Sequence, residues 1–485
     1  MIPFHLVEFN HKQMNTPFLD IKIVRKLFFS MTALLAVIAV VEMGLSLFRV
    51  DINADAAYYL GASRLILEGK IPFLDFPPEY TPLSFYMMAV PTALFGASYT
   101  IALLCLYMLH IANACIVYKI VRQYYDDKLM AAFCSAFSLL LCLGAGRNYI
   151  LEPFVLFFGL LALLLLKKGN VKRIILSGFL CFCSFWCKQY GLGSLCLAIV
   201  LIVIEEDYKR SFIRKSLYLL MGFFIAMTIF VLFFLAHGVD PLAMVGLSGS
   251  DYRRAGLSGL LGGWESLLIT LPLLAVAIIV MFVRLKDARK ESLLIVSFFA
   301  VFGFMLQCYV RFYSHYMILA MPFCVLLLFA CMSVFRSIKW KNIYTLLLLL
   351  SPVIPMYFAT KSTVALMDDN PREKQIICAK SISQYVPNRS ENVYCAMDLL
   401  PVMFLNTYNP PLISKYGMSN GFVEDSEGTI ELIHAAEYCM ISEKDLKKTR
   451  RYTADICDYL NKNFDRTQIE GVSPQNSFYI YIRKK

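Results

Sequence analysis

Long apolar stretches alternate with short polar punctuation over most of the chain, and eleven of them reach or approach the ~20 residues a helix needs to cross a hydrocarbon core. They lie at about 27–48, 98–121, 129–146, 149–166, 172–187, 189–204, 213–236, 265–284, 292–309, 315–335 and 341–359. The first is too long for a removable signal peptide and lacks a small-residue cleavage site, so it reads as a signal anchor. Basic residues collect in alternate gaps. Lys22, Arg25 and Lys26 precede the first span, Lys119, Arg122 and Lys128 follow the second, and Lys167, Lys168, Lys172 and Arg173 follow the fourth. Lys209, Arg210, Arg214 and Lys215 follow the sixth, Arg284, Lys286, Arg289 and Lys290 the eighth, and Arg336, Lys339 and Lys341 the tenth. The positive-inside rule makes these loops cytoplasmic, which puts the N-terminus inside and the C-terminal segment outside. A further crossing at Pro82–Phe95 would invert every later loop, so that stretch of about 14 residues is expected to be re-entrant or interfacial.

From Lys361 onward, charged residues, Asn, Pro and Ser break every apolar run. Strand-like pieces (Asn392 to Met397, Ser477 to Ile482) alternate with helix-like pieces (Thr429 to Tyr438, Tyr452 to Phe464), the pattern of a compact α/β domain. The expected fold is therefore a polytopic α-helical membrane protein of about eleven spans, with a small extracytoplasmic α/β domain at its C-terminus. Residues 1–359 would form the membrane domain, with a first outer loop at 50–81 and the short apolar piece at 82–95, and residues 360–485 the soluble domain.

Composition agrees: 59% of the 485 residues are hydrophobic and 17% charged, which excludes a water-soluble chain. The net charge of +11 does not mark a nucleic-acid partner, because the basic residues sit in clusters at span ends. Most of the 15 Cys lie inside apolar runs without zinc-like spacing. Cys378, Cys395, Cys439 and Cys457 in the tail can be either disulfides or free thiols.

The outer face then carries the candidate chemistry. Its first loop holds Asp51, Asp55, Glu68, Asp75 and Glu79 against only Arg64 and Lys70. Asp55 to Glu68 has apolar residues at helical spacing, with Tyr59, Ala62, Leu65 and Ile66 on one face, and predicts a short helix lying in the interface. Asp55 at its start either stabilises the helix terminus or, in a partly dry pocket, acts as a general base. Glu152 opens the fourth span, where an ionisable side chain needs a partner or a function; Arg147 is a candidate partner. Lys188 and Gln189 occupy a short outer turn, Arg253 and Arg254 a Gly-rich loop, and Arg311 and His315 the entry to the tenth span. These cations stand where topology does not call for them. Either lipid headgroups or a phosphate-bearing ligand would explain their presence.

Residues 55–96 (DAAYYLGASRLILEGKIPFLDFPPEYTPLSFYMMAVPTALFG) resemble the first outer loop of GT-C class glycosyltransferases, especially the protein O-mannosyltransferase and aminoarabinose transferase branch. The order is an Asp followed by Tyr, a Gly, Pro-aromatic-x-Asp, a Pro-rich turn and Leu-Phe-Gly. Glu152-Pro153 is similar to the family's second acidic position, Lys188-Gln189 to its Lys after the next helix pair, and Arg311 to Tyr316 to its aromatic and basic motif. The Asp-Glu pair common in protein mannosyltransferases reads Asp55-Ala56 here, a departure from the protein-acceptor branch. The tail resembles no module we can name.

The resemblance implies an inverting transfer of a sugar from a polyprenyl-phosphate donor to an acceptor hydroxyl on a lipid, glycan or protein at the outer membrane face, with Asp55 as base. Asp51, Asp75, Glu79, Glu152, Lys188, Gln189, Arg253, Arg254, Arg311 and His315 would contact substrate. No metal ion is required, although Asp55 with Asp51 or Glu79 can supply oxygen ligands to a divalent ion. Short loops and the absence of a eukaryotic retention signal favour a bacterial cytoplasmic membrane. The competing reading is a lipid-linked-oligosaccharide flippase or other transporter, which would place ionisable groups near the bilayer midplane and show internal repeats. A glycan polymerase or ligase would instead concentrate its motifs in a large late outer loop.

Overall fold

The computed structural model describes residues 22–76, 78, 80–96, 98–167, 169–205, 211–240, 244, 255–284, 291–310, 313–335, 337–386, 393–395, 413–414, 417–418, 426–447, 452–469 and 478–484. All eleven apolar runs form helices. In chain order the helices are α1 (Lys22–Arg49), α2 (Ala54–Leu67), α3 (Leu83–Phe95), α4 (Tyr99–Tyr124), α5 (Lys128–Ala145), α6 (Glu152–Leu166), α7 (Val171–Cys187) and α8 (Leu192–Glu205). Then come α9 (Ser211–Ala236), α10 (Gly256–Thr270), α11 (Leu273–Val283), α12 (Ser292–Met305), α13 (Met321–Ala330), α14 (Ile338–Leu350), α15 (Val353–Asp368) and α16 (Pro371–Ile382).

Among the described residues, seven helical stretches are long and apolar enough to cross a membrane, or eight if the bent pair α10–α11 is one span. The polytopic helical membrane fold expected from the sequence is thus present. The three remaining runs, α6, α7 and α8, have 15, 17 and 14 residues, about 21–26 Å of helix at 1.5 Å rise per residue. They lie largely inside the bundle, whereas α1 and α9 present Val37, Val40, Val41, Phe224, Ile229 and Leu232 outward, as a lipid-facing surface requires. The eighth span starts earlier than expected and bends by 103° between Thr270 and Leu273. Pro272 causes the break, since it offers no N–H to the preceding turn and disfavours helical geometry at Leu271. The stretch at 82–95 is a single 13-residue helix, as its length suggested.

Helices α7 and α9 make the closest crossing. A Cβ on Gly178 would overlap the carbonyl of Leu219, and one on Gly222 the carbonyl of Ile175. The two glycines thus allow main chain to meet main chain, the small-residue packing that membrane helices use in place of a hydrophobic drive.

The C-terminal segment carries α17 (Ser426–Ala435), α18 (Ala454–Asn463) and a four-stranded sheet of β1 (Val393–Cys395), β2 (Tyr438–Ser442), β3 (Phe464–Ile469) and β4 (Phe478–Arg483). Its order is β1-β2-β4-β3, with β1 parallel to β2 and the other pairs antiparallel. Strand alternation divides the side chains: Tyr394, Cys439, Ile441 and Tyr481 pack with Ile433, Ile456 and Leu460 of the two helices, while Val393, Cys395, Met440 and Ile480 join the core that includes Cys378 and Ile382 of α16. Cys439 and Cys457 of the tail are free thiols. The last membrane helix runs on to Asp368, past the boundary at 359 drawn from hydropathy.

Widening the α7–α9 crossing should destabilise the fold. Gly178→Val is expected to cost at least about 1–3 kcal/mol, read as a fall in the thermal midpoint in detergent. Gly44→Ala, where an added Cβ meets nothing within 4 Å, is the control and should leave the midpoint nearly unchanged. Equal midpoints for the two variants would refute the packing argument.

Candidate active site

One end of the bundle gathers the polar groups. Asn53 caps α2, its Oδ1 accepting from Ala56 N at 2.7 Å, and this places Asp55 in the helix's first turn. Asp55 is half-buried, and among the described residues no hydrogen bond or ion pair engages its carboxylate. The expected interfacial helix is buried on more than one face: Ala56 through Ser63 are all inaccessible, because α3 and the loop before it cover the side that would have met headgroups. One turn beyond Asp55, Tyr59 stacks on Phe85 at 6.0 Å and meets Tyr80 and Tyr149 edge-on. Burial, with Tyr80, Asp55, Glu152 and Tyr316 around it, pushes the Tyr59 phenol well above its ordinary value.

The second acidic group is fixed by a helix hairpin. Helices α6 and α7 run antiparallel across a short connection, so the start of α6 lies beside the end of α7. Glu152 is the first residue of α6 and Lys188 follows the last residue of α7, each where the helix dipole favours its charge. Lys188 Nζ lies 2.6 Å from Glu152 Oε1, with both side chains essentially inaccessible. The turn after Lys188 passes so close to the backbone of Ser184 that any Cβ at Gly191 would overlap it. Around the ammonium stand the rings of Tyr80, Tyr316 and Tyr190, at 4.5, 4.8 and 5.5 Å from their centroids. His315 Nε2 is 3.9 Å from the same carboxylate oxygen, and its ring stacks on Tyr313. Glu152 Oε2 is buried without a hydrogen-bond partner.

Arg147, the partner that the sequence offered Glu152, pairs instead with Glu42 of α1, at 3.5 Å. Asp51 sits in the loop before α2. Burial holds its carboxyl above the ordinary range, opposed by its own backbone hydrogen bond and by Arg372 and Arg147. Asp75 is exposed and closes a local turn, accepting from Ile71 N at 2.6 Å. Gln189 is half-buried in the 3-10 turn after Lys188. Glu79, Arg253, Arg254 and Arg311 lie outside the described residues, but their described neighbours Ala255 and Val310 are joined, Ala255 N donating to Val310 O at 3.1 Å.

Sequence reasoning missed Tyr80 and Tyr190, although each stands next to a residue it had singled out, and had Tyr316 only as the end of the aromatic and basic motif. It also missed Glu42, whose place inside an apolar span was the available signal. Among the described residues no group of three or more His, Cys, Asp or Glu side chains converges as a metal site would. Chemically, the arrangement offers, among the described residues, a carboxylate that no hydrogen bond or ion pair engages, at the same end of the bundle as a buried, near-neutral ion pair walled by aromatic rings.

Residues 77–234 match the family model described as dolichyl-phosphate-mannose-protein mannosyltransferase, a segment that includes Glu152 and Lys188 and begins after Asp55. Among solved structures, the chain is similar to ArnT from Cupriavidus metallidurans bound to undecaprenyl phosphate, with a TM-score of 0.62 and 13% identity over 93% of this chain and 97% of that one. It is also similar to the Archaeoglobus fulgidus oligosaccharyltransferase, with a TM-score of 0.53 and 12% identity over 94% of this chain and 74% of that one. A third likeness is to the same archaeal enzyme, AglB, in complex with an inhibitory peptide and a dolichol-phosphate, with a TM-score of 0.51 and 11% identity over the same shares. No curated protein matches the chain in sequence. At such identities the structural likeness establishes the fold.

Breaking the buried pair should be costly in stability. Glu152→Gln and Lys188→Met are each expected to lose about 3–5 kcal/mol, because each strands a charge out of water. The double variant should lose less than the sum of the two, since it removes both charges. Thermal unfolding of the four proteins in detergent provides the cycle, and strict additivity would show that the two side chains do not interact.

Proposed function

We propose that this membrane glycosyltransferase of the GT-C fold transfers a sugar from a polyprenyl-phosphate donor to an acceptor hydroxyl, with inversion, at the outer face of a bacterial cytoplasmic membrane. The observation that carries the reading is Asp55: a half-buried carboxylate that no hydrogen bond or ion pair engages among the described residues, one helical turn from the buried Tyr59. A base must keep its acceptor site open, and Asp55 does so while the other buried carboxylate is engaged.

In the step proposed, Asp55 takes the proton of the acceptor hydroxyl as that oxygen forms its bond to the anomeric carbon. The bond from this carbon to the phosphate oxygen breaks, and the lipid phosphate leaves with the electron pair. A single displacement of this kind inverts the anomeric configuration. Lys188 and Glu152 together carry little net charge, so most of the charge that stabilises the departing phosphate must come from elsewhere. Arg311 with Arg253 or Arg254 supplies it, adjoining the bonded pair Ala255 and Val310. His315 and Lys188 complete the phosphate site. Glu152 Oε2, buried and without a donor, accepts from a sugar hydroxyl. The scheme requires no metal ion.

Two measurements test this reading. In the first, Asp55→Asn is compared with wild type on undecaprenyl-phosphate-linked pentoses and hexoses. Binding of undecaprenyl phosphate should persist while turnover falls by about 10²–10⁴, the usual effect of losing a general base. Turnover within a few-fold of wild type would remove Asp55 from the role. Arg311→Ala should in turn weaken undecaprenyl phosphate by about 5- to 150-fold. The second measurement is thiol labelling of single cysteines placed at Asp75, Lys374, Glu206 and Arg289 after native thiols are blocked. The first two should react from outside and the last two from the cytoplasm. The reverse pattern would invert the topology.

A further inference from the structure

We infer that Arg372 and Gln375, on the helix that leads into the C-terminal sheet, are positioning residues for the transfer reaction: they fix the segment from which α2, and with it Asp55, begins. The inference rests on the reading of Asp55 as the base.

Helix α16 starts at Pro371 behind Asn370, whose Oδ1 accepts from Glu373 N at 3.3 Å, a cap that fixes the direction of its first turn. That turn drives Arg372, 6% exposed, into the junction of α1 and α4. Its Nε donates to Val50 O at 2.9 Å, and Nη1 donates to Leu47 O at 2.7 Å and Thr100 Oγ1 at 3.1 Å. The guanidinium also stands 4.7 Å from the centre of the Tyr99 ring. Leu47 belongs to the last turn of α1, whose carbonyls have no partner within the helix. One turn further along α16, Gln375 brackets Ile52, accepting from its N–H at 2.8 Å and donating to its carbonyl at 2.9 Å. Arg49 returns the arrangement by donating to the carbonyls of Leu366 and Met367 at the end of α15.

Residues 50–53 belong to no helix or strand. The carbonyls of Val50 and Ile52 and the N–H of Ile52 find their partners on α16, so α16 sets where this segment lies. Asn53, the next residue, caps α2 two positions before Asp55. Tyr99, under Arg372, extends the same hold to the other acidic segment: its hydroxyl is shared between Asp51 O at 3.2 Å and Asn148 Oδ1 at 3.1 Å. Glu152 follows four residues on. Both carboxylates therefore hang from a junction that is complete only when α16 is docked. A misplacement of about 1 Å in a reacting group can cost on the order of 100-fold in rate, which is why such a junction matters for turnover.

The test is hydrogen–deuterium exchange on full-length protein in nanodiscs, comparing wild type with Arg372→Gln and Gln375→Leu, alongside affinity for undecaprenyl phosphate. Exchange at residues 52–59 should quicken on the order of tenfold while that of α7 to α9 and the lipid affinity stay within about twofold. Arg372→Lys, which keeps the charge and part of the hydrogen bonding, should fall between. Where transfer is measured, Gln375→Leu should lower kcat about tenfold with KM unchanged. Unchanged exchange at 52–59 would overturn the inference, and so would a rise spread over the whole bundle, which would mark ordinary support of the fold. If Asp55→Asn proved active, the assignment of the base would fall while the exchange result stood, so the two failures are distinguishable.

Discussion

The arrangement at this end of the molecule depends on one lysine and one carboxylate that are both buried. A lone ammonium in a low-dielectric interior carries a penalty of several kcal/mol even after relaxation, and a lone carboxylate fares no better. The α6–α7 hairpin resolves both at once. Antiparallel helices of nearly equal length bring an N-terminus and a C-terminus side by side, and the sequence places Glu152 on the first and Lys188 just past the second. The pair then lies where two helix dipoles favour it, and Tyr80, Tyr190 and Tyr316 close around it with rings whose faces attract a cation.

Fixing the pair leaves the rest of the site a clear division of labour. Glu152 and Lys188 are committed to each other and largely cancel in charge, whereas no hydrogen bond or ion pair engages Asp55 among the described residues. Rigid aromatic contacts set the spacing between the two. Tyr59 packs on Phe85 and Tyr149, and the loop that carries Tyr80 is tied to α7 through Thr81, whose hydroxyl donates to Phe185 O at 3.0 Å. The apolar bundle beneath supplies the scaffold, and the crossing of Gly178 and Gly222 shows how closely its helices must approach to hold it.

Burial also governs the second polar junction, on which the approach to Asp55 depends. Arg372 is almost wholly enclosed, yet its donors meet carbonyls left over at the end of a helix and in a segment without secondary structure. Those carbonyls would otherwise be unpaired close to the membrane, where an unsatisfied backbone group is expensive. The C-terminal segment is joined to the membrane helices by backbone groups that need it, as well as by apolar packing.

Much of this architecture was legible along the chain. Every long apolar run became a helix, the strand pieces around Tyr394 and Ile480 became strands, and Asp55 fell in the first turn of a short helix, because these features follow from local hydrophobic period and capping. Runs α6 to α8 are shorter than the others and are buried largely against neighbouring helices. What the sequence could not supply was pairing. It offered Arg147 to Glu152 on proximity along the chain, but the structure joins Glu152 to Lys188, 36 residues away, and Arg147 to Glu42. It gave no hint that Arg372 would reach Val50, 322 residues away. Local pattern fixes which residues are helical; which charge meets which is decided only when the helices pack, because an ion pair out of water depends on distance through space and on what else is buried beside it.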